Sequence, residues 1–231
     1  MAHAFTASSL EAVAEDLTRR KYYVGLDLGQ SVDPSAVAIL ETVDAPDIKP
    51  NRVYNSEIPY FPTSHHIRHL ERLKLGMSYV EQAGYVHQLM HTSPLQQAEL
   101  IIDATGVGRA CLDLFCAAGL RPIGVSITSG DSVTRERLSP NHWHVAKIQL
   151  ISPLQAALHS GDLKIAADLP ETQTLISELS NFQASFTASG YAKFGARQGK
   201  HDDLVLACAI ALWWSKESTR HKTVVREFPF D

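Results

Sequence analysis

The amino-acid sequence predicts an α/β domain with a central sheet flanked by helices, and three stretches carry that prediction. Residues 22–40, YYVGLDLGQSVDPSAVAIL, predict two strands around an Asp33-Pro34-Ser35 turn, because β-branched and aromatic runs bounded by Gly and Pro favour strands. Residues 98–120 hold a short apolar strand, LIID, then a Gly turn and a helix. α/β sheets present ligand-binding groups in this way. Residues 199–214, GKHDDLVLACAIALWW, predict a helix that is apolar nearly all round and therefore buried.

The rest of the N-terminal half is predicted to contain a helix, a strand, a segment that suits either helix or strand, and a second helix. A capping box and a closing Arg pair predict an amphipathic helix over residues 8–20. A strand is expected near 52–60. Apolar spacing in 63–76 suits a helix, while its histidines suit an edge strand, so both stay open. Residues 78–92 predict a helix with Ser78 as N-cap and Glu81 completing a capping box.

The C-terminal half alternates strands with helices. The predicted elements are a strand over 121–127, a polar loop over 128–141, a helix over 145–161 broken or started near Pro153, a strand over 162–166, a helix over 171–182 and a β-hairpin over 182–196. With the last long helix, these segments complete one α/β domain.

Length and composition bound the organisation. The 231 residues suit one large domain over 22–216, with an N-terminal helix or linker at 1–21 and a C-terminal tail at 217–231. A net charge of −4 argues against a broadly basic nucleic-acid binder but leaves room for a local basic patch. Three cysteines without metal-knuckle spacing suit a reducing compartment. With no secretory signal and no apolar run of about 18 residues, the sequence indicates a cytoplasmic protein without a membrane partner.

Acidic residues stand beside apolar sequence at three places: Asp27 in the first strand, Asp103 at the end of a later strand, and Asp202-Asp203 at the start of the last helix. A buried carboxylate costs several kcal/mol unless it is paired or bound to a cation. Mg²⁺ prefers carboxylate oxygens, and two bridged ions can activate a water and stabilise the leaving oxygen in phosphodiester hydrolysis. Taken singly, these acids could also be a solvated strand end, a helix cap and dipole-compensating residues.

The ordered set resembles the nuclease domain of phage large terminase subunits, in the RNase H-like superfamily that includes Holliday-junction resolvases. The matching stretches include YYVGLDLGQSVDPSAVAIL, ELIIDATGVGRACLDLF, RPIGVSITSG and VAKIQLISPLQAALHSGDLKIA. The most specific stretch is KHDDLVLA within FGARQGKHDDLVLACAIALWW, and together the matches cover about residues 22–215.

The resemblance implies an RNase H-like mixed sheet flanked by helices and a phage- or prophage-encoded endonuclease in the bacterial cytoplasm. It implies two Mg²⁺ or Mn²⁺ ions, with Asp27, Asp103 and Asp203 as the matching catalytic and metal-binding acids. Asp202, the other member of the acidic pair, is also a candidate metal ligand, and the helix phase alone does not decide which of the two aspartates faces inward. Implied partners are double-stranded DNA and a separate packaging ATPase, small terminase subunit or portal. Related resolvases carry a further acid where this chain has Leu206, so a fourth carboxylate is not expected there.

One family feature is missing, because the sequence has no G-x-x-x-x-G-K-[ST] phosphate loop. The expectation is therefore an isolated nuclease part or a stand-alone relative that lacks the packaging motor. Candidate DNA-binding residues are Lys147, Lys193, Arg197 and Lys200, since phosphates need neutralising cations. His142, His144 and His201 suit surface positions better than a role in the site.

Three other functions stay open. A structure-selective resolvase on the same fold would prefer four-way junctions. A non-catalytic DNA-binding or assembly subunit would keep the fold without efficient cutting. The VGLDLG stretch also resembles the phosphate-binding strand of actin-like and sugar-kinase ATP-binding domains, in which the KHDDLVLA helix has no counterpart.

Overall fold

The computed structural model describes residues 15–29, 33–46, 62–106, 108–186, 192–196 and 201–226, with the backbone alone at 181–186, 192–196 and 220–226. Its strands are β1 (Arg19–Asp27), β2 (Ala36–Asp44), β3 (Thr63–Arg72), β4 (Glu99–Asp103), β5 (Ile123–Thr128), β6 (Val133–Arg135), β7 (His142–Ala146), β8 (Leu163–Ile165), β9 (Phe182–Phe186) and β10 (Ala192–Ala196). Its helices are α1 (Tyr79–Met90), α2 (Gly108–Ala117), α3 (Lys147–Ser160), α4 (Thr172–Asn181) and α5 (Asp203–Arg226).

Eight strands form one mixed sheet in the order β6-β7-β5-β4-β1-β2-β3-β8, and β9 pairs with β10 as a separate hairpin. β1 lies at the centre, antiparallel to β2 and parallel to β4. β4, β5 and β7 continue in parallel, and β2 pairs antiparallel with β3. This confirms the predicted mixed central sheet.

Two apolar cores cover the two faces of the sheet. Alternate residues of a strand point to opposite faces, so Tyr23 and Ile101 pack on one side with α3, α4 and α5. Val24 and Leu26 pack on the other side with α1 and α2. α5 is the most buried helix, because every residue from Asp203 to Trp213 is buried. No helix in the described part is long and apolar enough to span a bilayer.

Most predicted elements are confirmed, including α1 with its Ser78 and Glu81 capping box and the hairpin of β9 and β10. The open segment 63–76 contains strand β3, whose pairing with β2 decides against a helix. Arg19 and Arg20 are strand where a helix was predicted, because they pair with Asp44 and Val43. The predicted helix over 8–20 otherwise lies largely outside the described residues, and the predicted strand near 52–60 lies wholly outside them.

Three further features differ from the sequence-based prediction. α3 begins at Lys147 and runs through Pro153 without a break, supported by the buried side chains of Leu150, Ile151 and Leu154. The polar loop contains the short strand β6, which pairs with β7. α5 continues to Arg226, well into the predicted tail. The predicted domain limits themselves stay a prediction.

Candidate active site

Asp27 and Asp103 lie side by side at the ends of two central strands. β1 and β4 run parallel, and their register places Asp27 directly opposite Asp103. Neighbouring strands lie about 4.8 Å apart. Both acids share the sheet face of Gly25 and Ile101, which is the face that α5 covers. Two carboxylates that are 76 positions apart in the sequence therefore meet at one point.

α5 brings the second pair of acids to the same place. Gly25 has no side chain, so the backbone of Ala207 on α5 comes so close to β1 that an added Cβ would stand 2.0 Å from its carbonyl oxygen. Asp203 is the first residue of α5, and Asp202 precedes it. The close helix–strand contact therefore sets the acidic pair beside the carboxyl ends of β1 and β4.

The electrostatics of the central pair are unfavourable without a cation. Burial raises the pKa of Asp27 well above its usual range, and repulsion from Asp103, Asp203 and Asp202 raises it further. Burial also raises the pKa of Asp103, although hydrogen bonds from Thr105 oppose this. One of those bonds runs from the Thr105 N–H to Oδ1 of Asp103 at 2.8 Å. A nearby positive charge would stabilise the ionised form of both carboxyl groups and lower their pKa values.

Among the residues that the structure describes, none donates a hydrogen bond to Oδ2 of Asp203, and this atom is buried. Two basic side chains of the described residues lie near this atom, with Nη2 of Arg72 at 3.6 Å and Nδ1 of His201 at 3.7 Å. Burial raises the pKa of Asp203, and Arg72 only partly opposes it. A buried acceptor of this kind is costly unless a further group binds it.

Asp202 is engaged differently from Asp203. Its Oδ2 atom accepts a hydrogen bond from Nζ of Lys147 at 2.7 Å, and its side chain is 21% exposed against 10% for Asp203. Lys147 is the first residue of α3, and its charge lowers the pKa of both Asp27 and Asp103. Asp203 is thus the deeper and less satisfied member of the pair.

The donor set fits a hard divalent cation, although it is not closed around one. Among the residues described, no three His, Cys, Asp or Glu side chains form a ready-made ion site. Carboxylates repel one another, and here Lys147 bonds Asp202 at 2.7 Å while Arg72 lies 3.6 Å from Asp203. The unpartnered Oδ2 atom of Asp203 and the raised pKa values of the three acids are the properties that a bound Mg²⁺ or Mn²⁺ would relieve.

The other predicted residues have mixed outcomes. Lys147 lies within the acidic cluster. The backbone of Lys193 lies in β10, but its side chain is outside the described part, as are Arg197 and Lys200 entirely. His201 is half exposed at the site, with Nδ1 3.4 Å from Oδ1 of Asp33, so it lies nearer the acids than its predicted surface role required.

Two residues at the site were not predicted from sequence, namely Arg72 and Glu178. Arg72 donates to Oε1 of Glu178, while the Val205 N–H donates to Oε2 at 3.0 Å. One signal was available: Glu178 follows Leu175 by three positions on the apolar face of α4 and is 5% exposed. An acid on such a face requires a partner.

A cleft of about 590 Å³ opens beyond the carboxyl end of β1. Its lining joins the end of β1 to the turn before α1 and includes Gly29, Asp33, Lys74 and Tyr79. Tyr79 donates its hydroxyl to the carbonyl of Gly29 at 3.3 Å. None of the four acids lines this cleft, and its Asp33 connects to them through His201, which lies 3.4 Å from Asp33 and 3.7 Å from Asp203.

Two curated proteins and one solved fold show what the chain is similar to. No family model matches the chain. It is 25% identical over 190 residues to the terminase large subunit of Thermus phage G20c, covering 82% of this chain and 31% of that protein. It is 28% identical over 142 residues to the terminase large subunit of Thermus virus P23-45, covering 62% of this chain and 25% of that protein. The chain thus spans about a quarter to a third of the length of these relatives.

A solved structure shares the fold. The large terminase nuclease of thermophilic phage G20c, crystallised with bound cobalt, superposes with a TM-score of 0.58 at 25% identity, over 84% of this chain and 80% of that one. The same nuclease has been crystallised with bound magnesium. This chain resembles the nuclease domain of phage large terminase subunits. Its terminase-type fold is RNase H-like, as expected from the sequence.

Proposed function

We propose that this domain is a metal-dependent DNA endonuclease of the phage terminase type. The observation that carries the proposal is the convergence of Asp27 and Asp103, on one sheet face, with Asp203 at the start of the helix that covers this face; burial raises the pKa of all three acids. Buried acids that converge with raised pKa values are typical of functional sites. A protein of the same fold, the large terminase nuclease of phage G20c, has been crystallised with bound cobalt and with bound magnesium.

Asp27, Asp103 and Asp203 would hold two Mg²⁺ or Mn²⁺ ions, and Asp202 would contribute from the rim. When bound, such ions activate a water for attack on a phosphodiester and stabilise the leaving oxygen. The chain's own residues position these ligands. The Thr105 N–H orients Asp103 through a 2.8 Å hydrogen bond, and Lys147 orients Asp202.

DNA would lie in the cleft that contains Gly29 and Lys74. Lys147 would face the phosphate backbone from the other side of the acids, with Lys193, Arg197 and Lys200 as further candidate contacts. Phosphate neutralisation by Lys and Arg supplies the non-specific affinity of such enzymes. Double-stranded DNA is the proposed substrate, and the bacterial cytoplasm is the proposed location. A packaging ATPase, a small terminase subunit or a portal would be the partners.

Plasmid digestion with Mg²⁺ or Mn²⁺ tests the proposal. The wild type should convert supercoiled DNA to nicked and linear forms, and EDTA should stop it. Asp27→Asn and Asp103→Asn should each lower the rate by at least about 100-fold, since each removes a ligand needed in the transition state. Glu41→Gln is the matched control, because Glu41 is a buried acid of the same sheet paired with Arg20 and Arg68.

Undiminished cutting by Asp27→Asn or Asp103→Asn would refute the assignment of the site. Preferential cutting of four-way junctions over linear duplex would favour the resolvase alternative. DNA binding without any cutting, with every metal tried, would favour the non-catalytic assembly subunit.

A further inference from the structure

Glu178 and Arg72 form an ion pair directly behind Asp203. Arg72 is the last residue of β3, and Glu178 lies on α4. One carboxylate oxygen of Glu178 accepts from the guanidinium, and the other accepts from the Val205 N–H at 3.0 Å. Val205 is the third residue of α5, so its N–H has no partner within the helix. Glu178 therefore ties β3 to the first turn of α5.

The guanidinium favours Glu178 over Asp203. Nη2 of Arg72 makes its hydrogen bond to Glu178, whereas its distance to Oδ2 of Asp203 is 3.6 Å. That distance exceeds a hydrogen bond, and no other described residue donates one to this buried Oδ2 atom. Arg and carboxylate groups favour close charge-assisted hydrogen bonds. The guanidinium of Arg72 is therefore hydrogen-bonded to Glu178 and lies near Asp203 without a hydrogen bond to it.

We propose that Glu178 is a positioning residue that restrains Arg72, so that Asp203 stays available to a divalent cation. Without the restraint, the guanidinium would close on Oδ2 and compete with the cation for the same oxygen. The inference rests on the proposed function, since it takes Asp203 as a metal ligand. The Arg72–Glu178 pair then has two roles: it supports the metal affinity of the site, and it packs β3, α4 and α5 together.

Three variants separate this role from simple packing. Glu178→Gln keeps an amide oxygen that can accept from the Val205 N–H, but it loses the charge that holds Arg72. Its Mn²⁺ affinity should fall roughly tenfold, the cost of breaking one charge-assisted hydrogen bond before the metal binds. The double variant Arg72→Gln/Glu178→Gln has no guanidinium to compete, so its Mn²⁺ affinity should return to within about threefold of the wild type.

Arg72→Gln alone gives an independent test. This substitution removes the competing guanidinium and leaves the carboxylates of Glu178 and Asp203. The variant should therefore bind Mn²⁺ at least as tightly as the wild type. Mn²⁺ affinity is measured without DNA, from the electron paramagnetic resonance signal of the free ion during titration. Thermal unfolding of each variant is followed in parallel.

Glu41→Gln is the control for removal of a buried, Arg-paired acid. Glu41 pairs with Tyr22, five residues along β1 from Asp27, and its replacement should lower stability without a change in Mn²⁺ affinity. Wild-type affinity in Glu178→Gln, a double variant as weak as Glu178→Gln, or weaker binding by Arg72→Gln would each overturn the inference. A wild type that binds no Mn²⁺ would instead refute the proposed function itself.

Discussion

Replacing Gly25 with alanine tests the contact that assembles the site. Gly25 lies on β1 two residues before Asp27, and its backbone faces α5. An alanine Cβ would stand 2.0 Å from the carbonyl oxygen of Ala207, 3.0 Å from its carbonyl carbon and 3.2 Å from Cβ of Ala211. The first two atoms belong to helix backbone, so no side chain can rotate away. β1 and α5 would have to separate by at least about 1 Å to restore ordinary contact distances.

The cost follows from overpacking. Inserting one methyl group into a packed core costs about 1–3 kcal/mol, and the clash with the backbone of Ala207 places Gly25→Ala at the upper end, about 3 kcal/mol. Domains of this size lose about 2–4 °C of Tm per kcal/mol, so Tm should fall by roughly 6–12 °C. Because α5 carries Asp203, the same displacement should weaken Mn²⁺ binding.

Gly84→Ala is the matched control, measured by the same thermal unfolding. Gly84 lies in α1, where an added Cβ meets no atom within 4 Å. Alanine is the better helix former by about 1 kcal/mol, so Tm should hold or rise. A Gly25→Ala variant with the Tm and the Mn²⁺ affinity of the wild type would refute the packing of α5 against β1, and with it the site.

Three further predictions concern the site, the DNA interface and the pH dependence of stability. Asp203→Asn should weaken Mn²⁺ binding at least roughly tenfold, and Asp202→Asn distinctly less, because Asp202 is held by Lys147; equal effects in titration would contradict this ranking. Joint alanine replacement of Lys193, Arg197 and Lys200 should lower the slope of log affinity against log salt by about 0.9 for each DNA phosphate that is no longer neutralised, and an unchanged slope in filter binding would remove these residues from the interface. Burial lowers the pKa of His65 to about 4, below its unfolded value of about 6.5. The neutral, buried ring therefore contributes fully to the free energy of unfolding above pH 6.5, and this contribution is lost as the pH falls towards 4. Chemical denaturation of the wild type and His65→Gln across this range should show that the variant loses less stability, by up to roughly 3 kcal/mol; parallel curves would contradict the assignment.

The central acids could be predicted from sequence because each breaks a local pattern. Asp27 interrupts an apolar strand, and Asp103 ends another before a Gly turn. Their common sheet face follows from strand alternation once β1 and β4 are paired in register. The choice between Asp202 and Asp203 could not be made, because it depends on how α5 rotates against β1 and on where Lys147 reaches.

The Arg72–Glu178 pair shows why other parts could not be predicted. The two residues are 106 positions apart and lie on β3 and α4. Segment 63–76 was itself open between helix and strand, and its pairing with β2 decides the matter. An ion pair between such elements follows from tertiary packing, which no local pattern encodes. The apolar face around Glu178 signalled that this acid needs a partner without indicating which one.

The most direct test of the proposed metal site is a crystal soaked in Mn²⁺ and measured at the manganese absorption edge. Anomalous peaks should lie between Asp27, Asp103 and Asp203, with two ions about 4 Å apart. Manganese bound elsewhere, or no peak near these carboxylates at millimolar Mn²⁺, would contradict the central claim that the three acids form a divalent metal site.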